Sequence, residues 1–188
     1  MAHNHRIFPW WAGYLLTNPL RKLFQNPDKI LAPYIKHGMT VLEIGPGMGF
    51  FSIPMARMVG ANGKVICIDI QDKMLLRLEK RALIKGVQQQ IQTRLCTSES
   101  LKIEDLADKI DFALLFFVVH EVPDSGKLWK DVTPTLKKGG MVLFSEPKRP
   151  VSAEEFTKSV ALAKKEGLNI VERPEIWRSR SVVLKKND

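Results

Sequence analysis

From residue 40 onward, nearly continuous apolar runs alternate with amphipathic segments. The runs TVLEIG, KVICIDI, DFALLFFVV and MVLFSE have the length and composition of strands that are buried on both faces. QIQTRL alternates between apolar and polar positions, which predicts a less buried strand, and NIVER and SVVLKK predict two more near the end. Strands of this kind separated by helices predict an α/β fold, a doubly wound, mostly parallel sheet with helices on both faces.

The segments between these strands carry helical periodicity. Residues 49–59 predict one helix, and DKMLLRLEKRALIKG predicts an amphipathic helix that Gly86 ends. GKLWKDVTPTL predicts a helix that Pro134 kinks or interrupts. SAEEFTKSVALAKKEG predicts a further helix, because it begins with a capping box formed by Ser152 and Glu155.

The N-terminal segment has a different pattern. FPWWAGYLL is crowded with aromatic residues, and NPLRKLF and NPDKILAPY each begin with Asn-Pro, a helix cap followed by a first-turn proline. We predict three short helices there, at angles to one another. The sequence contains neither internal repeats nor a low-complexity linker. We therefore predict one domain over residues 1–188, with residues 1–37 as an N-terminal helical extension that forms a lid.

Composition places the chain among ordinary globular proteins. It has 188 residues, of which 45% are hydrophobic and 26% charged, enough for one domain with a sizeable core. No apolar run approaches the roughly 20 residues of a transmembrane helix, and the N-terminus lacks the layout of a secretory signal. We therefore expect a cytoplasmic protein in which Cys67 and Cys96 are reduced and buried. The net charge is +9, but the basic residues are scattered, which favours a role in solubility over nucleic-acid binding.

A glycine-rich turn follows the first predicted strand, in VLEIGPGMGFFS. Gly45, Gly47 and Gly49 do not match the G-x-G-x-x-G fingerprint of nicotinamide and flavin sites, because the sixth position is Phe50. Glu43 would also place a negative charge beside a diphosphate. The same acid suits an ammonium group, and the N–H groups that begin the next helix suit a carboxylate. A ligand that carries both groups is an amino acid.

Asp69 closes the second predicted strand, 24 residues after Gly45. A carboxylate at that position can accept both hydroxyls of a ribose, as in nucleotide-binding proteins of this architecture. An amino acid joined to a ribose indicates S-adenosylmethionine as the cofactor.

These motifs resemble those of the class I S-adenosylmethionine-dependent methyltransferases over residues 27–186. VLEIGPGMG resembles their first motif and VICIDIQDKML their second. KIDFALLFFVVHEVPD is similar to the fourth-strand motif of the small-molecule branch, which includes quinone-biosynthesis methyltransferases, and TLKKGGMVLFSEP resembles the turn into their fifth strand. The resemblance implies a Rossmann-like sheet of seven strands with the last strand antiparallel, and methyl transfer to a small-molecule acceptor.

The resemblance also implies roles for individual residues. Relatives often have an acid after the third strand that meets the adenine amino group, whereas LCTSES has Thr97 or Ser98 there. Glu99 is a further candidate for this contact, although we expect it to face solvent. The cofactor-binding residues that it implies are Glu43, Gly45, Gly47, Gly49, Asp69, Gln71, Met74, Thr97 and Ser98.

His120 follows the fourth strand and is the candidate catalytic base, with a wall of the methionine site as its alternative role. Glu121 either caps the next turn or contacts a basic substrate. Trp10, Trp11 and Tyr14 either close over the cofactor or serve as hydrophobic packing or a dimer contact. We predict no metal site, and monomer and homodimer both remain open.

Three other functions stay open at this point. The basic C-terminal stretch is compatible with methylation of RNA or protein. A cofactor-binding protein without catalysis, such as a sensor or partner subunit, has the same glycine motif. A dehydrogenase is a more distant alternative. The sequence lacks the motifs expected for methylation of adenine N6, of pyrimidine C5 through a cysteine, or of arsenite.

Overall fold

The structure, a computed structural model, describes residues 21–187 and contains one seven-stranded sheet. The strands are β1 (Thr40–Ile44), β2 (Lys64–Asp69), β3 (Ile91–Leu95), β4 (Ile110–Phe116), β5 (Leu136–Pro147), β6 (Leu168–Glu172) and β7 (Ser179–Lys186). The helices are α1 (Arg21–Phe24), α2 (Pro27–Leu31), α3 (Ser52–Val59), α4 (Asp72–Ile84), α5 (Ser125–Val132) and α6 (Ala153–Lys165).

The strand order is β3-β2-β1-β4-β5-β7-β6. Strands β1 to β5 pair in parallel, whereas β7 runs antiparallel to both β5 and β6. This confirms the predicted doubly wound sheet with its last strand antiparallel. Strand order reverses at β1, which lies between β2 and β4, and ligands of such sheets bind beyond the carboxyl ends of the strands at this point.

Helices cover both faces of the sheet, and each face has its own hydrophobic core. On one face, α2, α3 and α4 contribute Leu31, Ile53 and Leu78. On the other face, α5 and α6 pack around Trp129, whose indole N–H donates to the Ser159 hydroxyl at 3.0 Å. Within residues 21–187, none of the helices has the length and apolarity needed to cross a bilayer.

Local signals in the sequence set most helix boundaries. Ser152 and Glu155 form the predicted capping box. Pro134 interrupts the fifth helix as predicted, because α5 ends at Val132 and a single 3-10 turn follows over Thr133–Thr135. The first predicted N-terminal helix, with Trp10, Trp11 and Tyr14, lies outside the described residues.

The predicted strand MVLFSE begins five residues too late, because β5 starts at Leu136, and two further predicted boundaries, both at the site, were wrong. Helix α3 begins at Ser52 rather than at residue 49, because Gly49 has φ +83° and its N–H donates to the Pro46 carbonyl in a tight turn. Strand β4 ends at Phe116 rather than continuing to Val119 as predicted, because Phe117 adopts a left-handed φ of +62°. This change of direction brings the segment after Phe117 over the carboxyl end of the sheet.

Candidate functional site

A cavity of about 1030 Å³ lies at the carboxyl ends of β1, β2, β4 and β5. Residues of the glycine turn, the end of β2, the loop after β3 and the segment after β4 all line it. The predicted site residues among those lining it are Glu43, Gly45, Gly47, Asp69, Gln71, Met74, Thr97, Ser98 and His120. The structure therefore brings together nearly all of the cofactor-binding and catalytic residues that the sequence predicts. Gly49 does not line the cavity and faces Leu78 instead.

The three glycines of the turn are needed for different reasons, close packing at Gly45 and Gly49 and backbone conformation at Gly47. A Cβ added to Gly45 would lie 2.6 Å from Cγ2 of Val118, and one added to Gly49 would collide with Leu78. Gly47 has no atom within 4 Å of such a Cβ, but its φ of +54° is left-handed. Gly45 thus allows close approach of the segment after β4, and Gly49 allows close approach of α4.

Asp69 connects the end of β2 to the glycine turn. Its Oδ1 accepts the Gln71 N–H at 2.9 Å, and its Oδ2 accepts the Gly47 N–H at 3.3 Å. Burial raises the pKa of the Asp69 carboxyl, and the backbone N–H groups that donate to it oppose that shift. The carboxylate is 8% exposed and lines the cavity, so its position is fixed before any ligand binds.

Glu43 is the more deeply buried acid of the pair, with 3% exposure. Its Oε2 accepts the Ser52 hydroxyl at 2.5 Å and lies 3.7 Å from the Cys67 sulfur. Burial raises the pKa of Glu43 to about 7, although the contacts with Ser52 and Cys67 act in the opposite direction. Glu43 therefore changes its charge near neutral pH, and a cation bound beside it would favour the ionised form.

The expected adenine end of the cavity is lined by the start of α4 and the loop after β3. Met74 is buried on α4, and Gln71 precedes that helix as its cap residue. Thr97 and Ser98 line the cavity from the loop. The Thr97 hydroxyl accepts the Ser100 N–H at 3.1 Å, so it also stabilises a turn within its own loop.

His120 is held by an acid that the sequence analysis did not identify. Its Nδ1 lies 2.5 Å from Oε2 of Glu146, which is the penultimate residue of β5 and is 2% exposed. The other oxygen of Glu146 accepts the backbone N–H groups of Val119 at 2.8 Å and His120 at 3.3 Å. A carboxylate accepts hydrogen bonds, so the neutral imidazole carries its proton on Nδ1 and has its lone pair on Nε2.

The acids around His120 determine its protonation. Burial on its own would lower the pKa of His120, but the hydrogen bond and charge of Glu146, together with the charges of Glu121 and Glu155, outweigh it. The net result is a pKa above the usual value for histidine. His120 is therefore a stronger base than a free imidazole, and it lies at the cavity wall.

Among the lining residues that the sequence analysis missed are Glu146, Ile70 and Arg21. Glu146 lies near the carboxyl end of β5, the strand next to β4, so the rule that the carboxyl ends of parallel strands meet at one edge of the sheet could have identified it. Ile70, 38% exposed, follows Asp69 and adds an apolar wall. Arg21 reaches the cavity from α1, and nothing in its sequence surroundings distinguishes it.

Comparisons with known proteins agree with this geometry. Residues 35–182 match the family model described as a methyltransferase domain. The ubiquinone/menaquinone biosynthesis C-methyltransferase UbiE of Idiomarina loihiensis is 32% identical over 119 residues, a match that covers 63% of this chain and 47% of that protein. The chain thus corresponds to about half the length of the curated relatives it matches.

Solved structures support the same fold. The crystal structure of a SAM-dependent methyltransferase from Aquifex aeolicus has a TM-score of 0.83 and 22% identity, and covers 95% of this chain and 98% of its own. The [4+2]-cyclase SpnF has a TM-score of 0.71 and 13% identity, and covers 85% of this chain and 79% of its own. At these identities the likeness concerns the fold, and the fold alone does not determine the reaction.

Proposed function

Because the chain belongs to the family of methyltransferase domains, we propose that it transfers a methyl group from S-adenosylmethionine to a small-molecule acceptor. The observation that carries this proposal is the contact between the Gly47 N–H and the buried carboxylate of Asp69 at the point where strand order reverses. That contact joins a turn with little side-chain bulk to a fixed acceptor for ribose hydroxyls.

The cavity has the groups that this cofactor needs. Asp69 would hold the ribose hydroxyls, with Gln71 and Met74 nearby. Glu43 would face the ammonium group, and its raised pKa of about 7 fits a carboxyl that becomes ionised when a cation binds. Ile70, Thr97 and Ser98 would surround the adenine, the site at which this chain departs from the acidic residue of its relatives.

When bound, S-adenosylmethionine would supply a reactive methyl group, whose bond to sulfur breaks as its bond to the acceptor forms, leaving a neutral thioether. The chain's own residues align the acceptor and exclude water. Where the accepting atom carries a proton, Nε2 of His120 would take it, and Glu146 would stabilise the resulting imidazolium. His120 is then the proposed catalytic residue, and Glu146 its positioning residue.

The charge of the cavity supports a small acceptor over RNA. The chain has a net charge of +9, yet the described residues that line the cavity include eight Asp or Glu and two Lys or Arg. Such a lining repels a phosphate backbone, which basic surfaces attract. We therefore place methylation of RNA second, and binding without catalysis is a further alternative. Cytoplasmic localisation and a monomeric or homodimeric state belong to the same proposal.

The experiment that tests the proposal offers the purified protein S-adenosylmethionine labelled in its methyl group, together with three fractions of one cell extract. The fractions contain small molecules, RNA and protein. We expect label in a small molecule other than S-adenosylmethionine itself. Asp69→Asn should strongly reduce it, whereas the matched control Asp72→Asn, at an exposed position on α4, should not.

The other outcomes separate the alternatives. Label in the RNA or protein fraction would favour the corresponding methyltransferase. Binding of S-adenosylhomocysteine without label in any fraction would favour a sensor or partner subunit. Absence of both binding and transfer would contradict the proposal.

A further inference from the structure

Three large apolar side chains are exposed together on one face of the molecule. Leu23 and Phe24 on α1 are 75% and 55% exposed, and Trp177, which precedes β7, is 48% exposed. The rings of Phe24 and Trp177 stack with their centres 4.7 Å apart, although the two residues are distant in the sequence. A single exposed apolar residue is ordinary, but adjoining ones from separate segments indicate a binding surface.

Basic groups surround these apolar side chains. Lys22 and Lys29 line a groove of about 330 Å³ beside the stacked rings, and Glu175 is the acid among the residues that line it. The guanidinium of Arg178 lies 4.5 Å from the ring centre of Trp177. Within the described part of the chain, none of the ion pairs includes Lys22, Lys29 or Arg178. We call this surface the apolar-basic patch, which consists of Lys22, Leu23, Phe24, Lys29, Trp177 and Arg178.

The two segments of the apolar-basic patch are tied together. The side-chain amide of Gln25, which is buried, donates to the Trp177 carbonyl at 3.4 Å and joins α1 to the segment before β7. The Ser179 N–H donates to the Ile176 carbonyl at 3.0 Å and closes a turn whose central residues are Trp177 and Arg178. The exposed side chains thus stand on a backbone that is fixed before a partner binds, so docking requires little ordering.

The composition of the apolar-basic patch distinguishes between partners. Tryptophan and phenylalanine rings suit the headgroup level of a bilayer, and nearby lysine and arginine side chains are attracted to anionic lipids. Leu23 can enter the boundary of the acyl chains, but it offers no surface on which a nucleic-acid base could stack. The Trp177 ring already stacks on Phe24 and contacts the guanidinium of Arg178. These features favour an anionic lipid surface over a nucleic acid.

We propose that the apolar-basic patch docks this protein reversibly on the surface of an anionic bilayer. The three apolar side chains enter the headgroup region, and the three cations lie against the lipid phosphates and carboxylates. So small a patch gives weak binding, which salt weakens further. Helix α1 carries both the exposed Leu23 and Arg21, which lines the cavity, so the docked face lies next to the candidate site.

Sedimentation of the full chain with lipid vesicles tests the proposal. The vesicles consist of phosphatidylcholine alone or with about one third phosphatidylserine. The patch variant combines Lys22→Gln with Leu23→Ser and so removes one cation and one apolar side chain. The matched control combines Ile84→Ser with Lys85→Gln, which makes the same kinds of change at an exposed pair at the end of α4. Circular dichroism checks that each variant is folded.

We expect wild type and the control to sediment with the anionic vesicles and to stay in solution with phosphatidylcholine alone. The patch variant should bind the anionic vesicles at least about 10-fold more weakly, because it loses both charge attraction and apolar burial. Lys29→Gln, a second variant that removes only an exposed cation, should weaken binding about 5-fold, the equivalent of about 1 kcal/mol. Raising the salt from about 0.1 M to about 1 M should release wild type.

Several results would overturn the proposal. These are a wild-type chain that does not sediment with anionic vesicles, equal binding to both kinds of vesicle, and a patch variant that binds as well as wild type or the control. Anisotropy of a labelled single-stranded RNA and sedimentation velocity test two other partners. RNA binding or dimerisation that the patch variant abolishes, without vesicle binding by wild type, would assign the patch to a nucleic acid or to a second copy of the chain instead.

Discussion

Oε2 of Glu146 lies 2.5 Å from Nδ1 of His120, and Oε1 of the same carboxylate accepts the backbone N–H of His120 at 3.3 Å. The end of β5 therefore fixes both the ring and the backbone of a residue in the segment after β4. This arrangement makes His120 more basic and determines which of its nitrogens can accept a proton.

Substitution of Glu146 should change the titration of His120. Glu146→Gln removes the hydrogen bond and charge that raise the pKa of His120, so that burial then dominates and the pKa falls. NMR titration of the imidazole protons measures this shift, with His120→Gln to assign the resonance. Glu154→Gln, at an exposed acid on α6, should leave it unchanged. An unaltered His120 titration in Glu146→Gln would contradict the pairing.

The same pairing has a consequence for stability. The pKa of His120 is higher in the folded than in the unfolded state, so protonation of His120 stabilises the fold. This stabilisation is fully present below the unfolded pKa near 6.5 and is lost as pH rises through the folded pKa. The destabilisation caused by Glu146→Gln should therefore be larger at pH 5.5 than at pH 9. Urea unfolding at the two pH values measures it, and an equal destabilisation would count against the proton linkage.

Gly45 should tolerate a methyl group less well than a glycine with the same backbone conformation. Gly45→Ala places a Cβ 2.6 Å from Val118 at φ +69°, whereas Gly86→Ala meets no atom within 4 Å at φ +68°. We expect Gly86→Ala to cost about 1–2 kcal/mol in unfolding free energy from backbone strain. Gly45→Ala should cost about 1–3 kcal/mol more from overpacking. If urea unfolding gives the same loss of unfolding free energy for both variants, the close approach of Val118 does not destabilise Gly45→Ala.

Asp69 should contribute to nucleoside binding whether or not the amino-acid portion is present. Asp69→Ala removes charge-assisted hydrogen bonds worth about 1.5–3 kcal/mol each, so both S-adenosylhomocysteine and 5′-deoxy-5′-methylthioadenosine, which lacks the amino-acid portion, should bind more weakly. Calorimetry with Asp72→Ala as the exposed control measures the difference. Unchanged affinity in Asp69→Ala would exclude its assignment to the ribose.

Glu43 should destabilise the free protein at alkaline pH. Its pKa is raised from 4.5 to about 7 by burial, so the stability of the folded state falls as pH rises from near 4.5 through 7. The shift corresponds to about 3 kcal/mol at 1.36 kcal/mol per unit. Glu43→Gln should therefore unfold at a higher urea concentration than wild type at pH 8 and show little difference at pH 4.5. No gain at pH 8 would contradict the buried, ionising carboxyl.

Parts of the site that depend on neighbours in the sequence could be predicted, and parts that depend on distant contacts could not. Glu43 precedes the glycine turn and Asp69 closes the next strand, so strand periodicity together with glycine spacing identified both. Glu146 acts on His120 only because β4 and β5 are adjacent in the sheet. Arg21 reaches the cavity through contacts with aromatic rings that are distant in sequence.

The fold shows the same division. Apolar runs predicted the strands because buried parallel strands need continuous hydrophobicity. They could not indicate where β4 ends, because Phe117 is as apolar as the strand before it and leaves the strand through its left-handed backbone. The predicted lid over residues 1–37 remains a prediction, since most of that segment lies beyond the part of the chain that the structure describes.

Calorimetric titration of the unmodified chain with S-adenosylhomocysteine, and separately with NADH, tests the central claim most directly. The glycine turn, Asp69 and Glu43 predict saturable binding of one S-adenosylhomocysteine per chain and no heat of binding with NADH. Binding of NADH in the absence of any heat with S-adenosylhomocysteine would contradict the account.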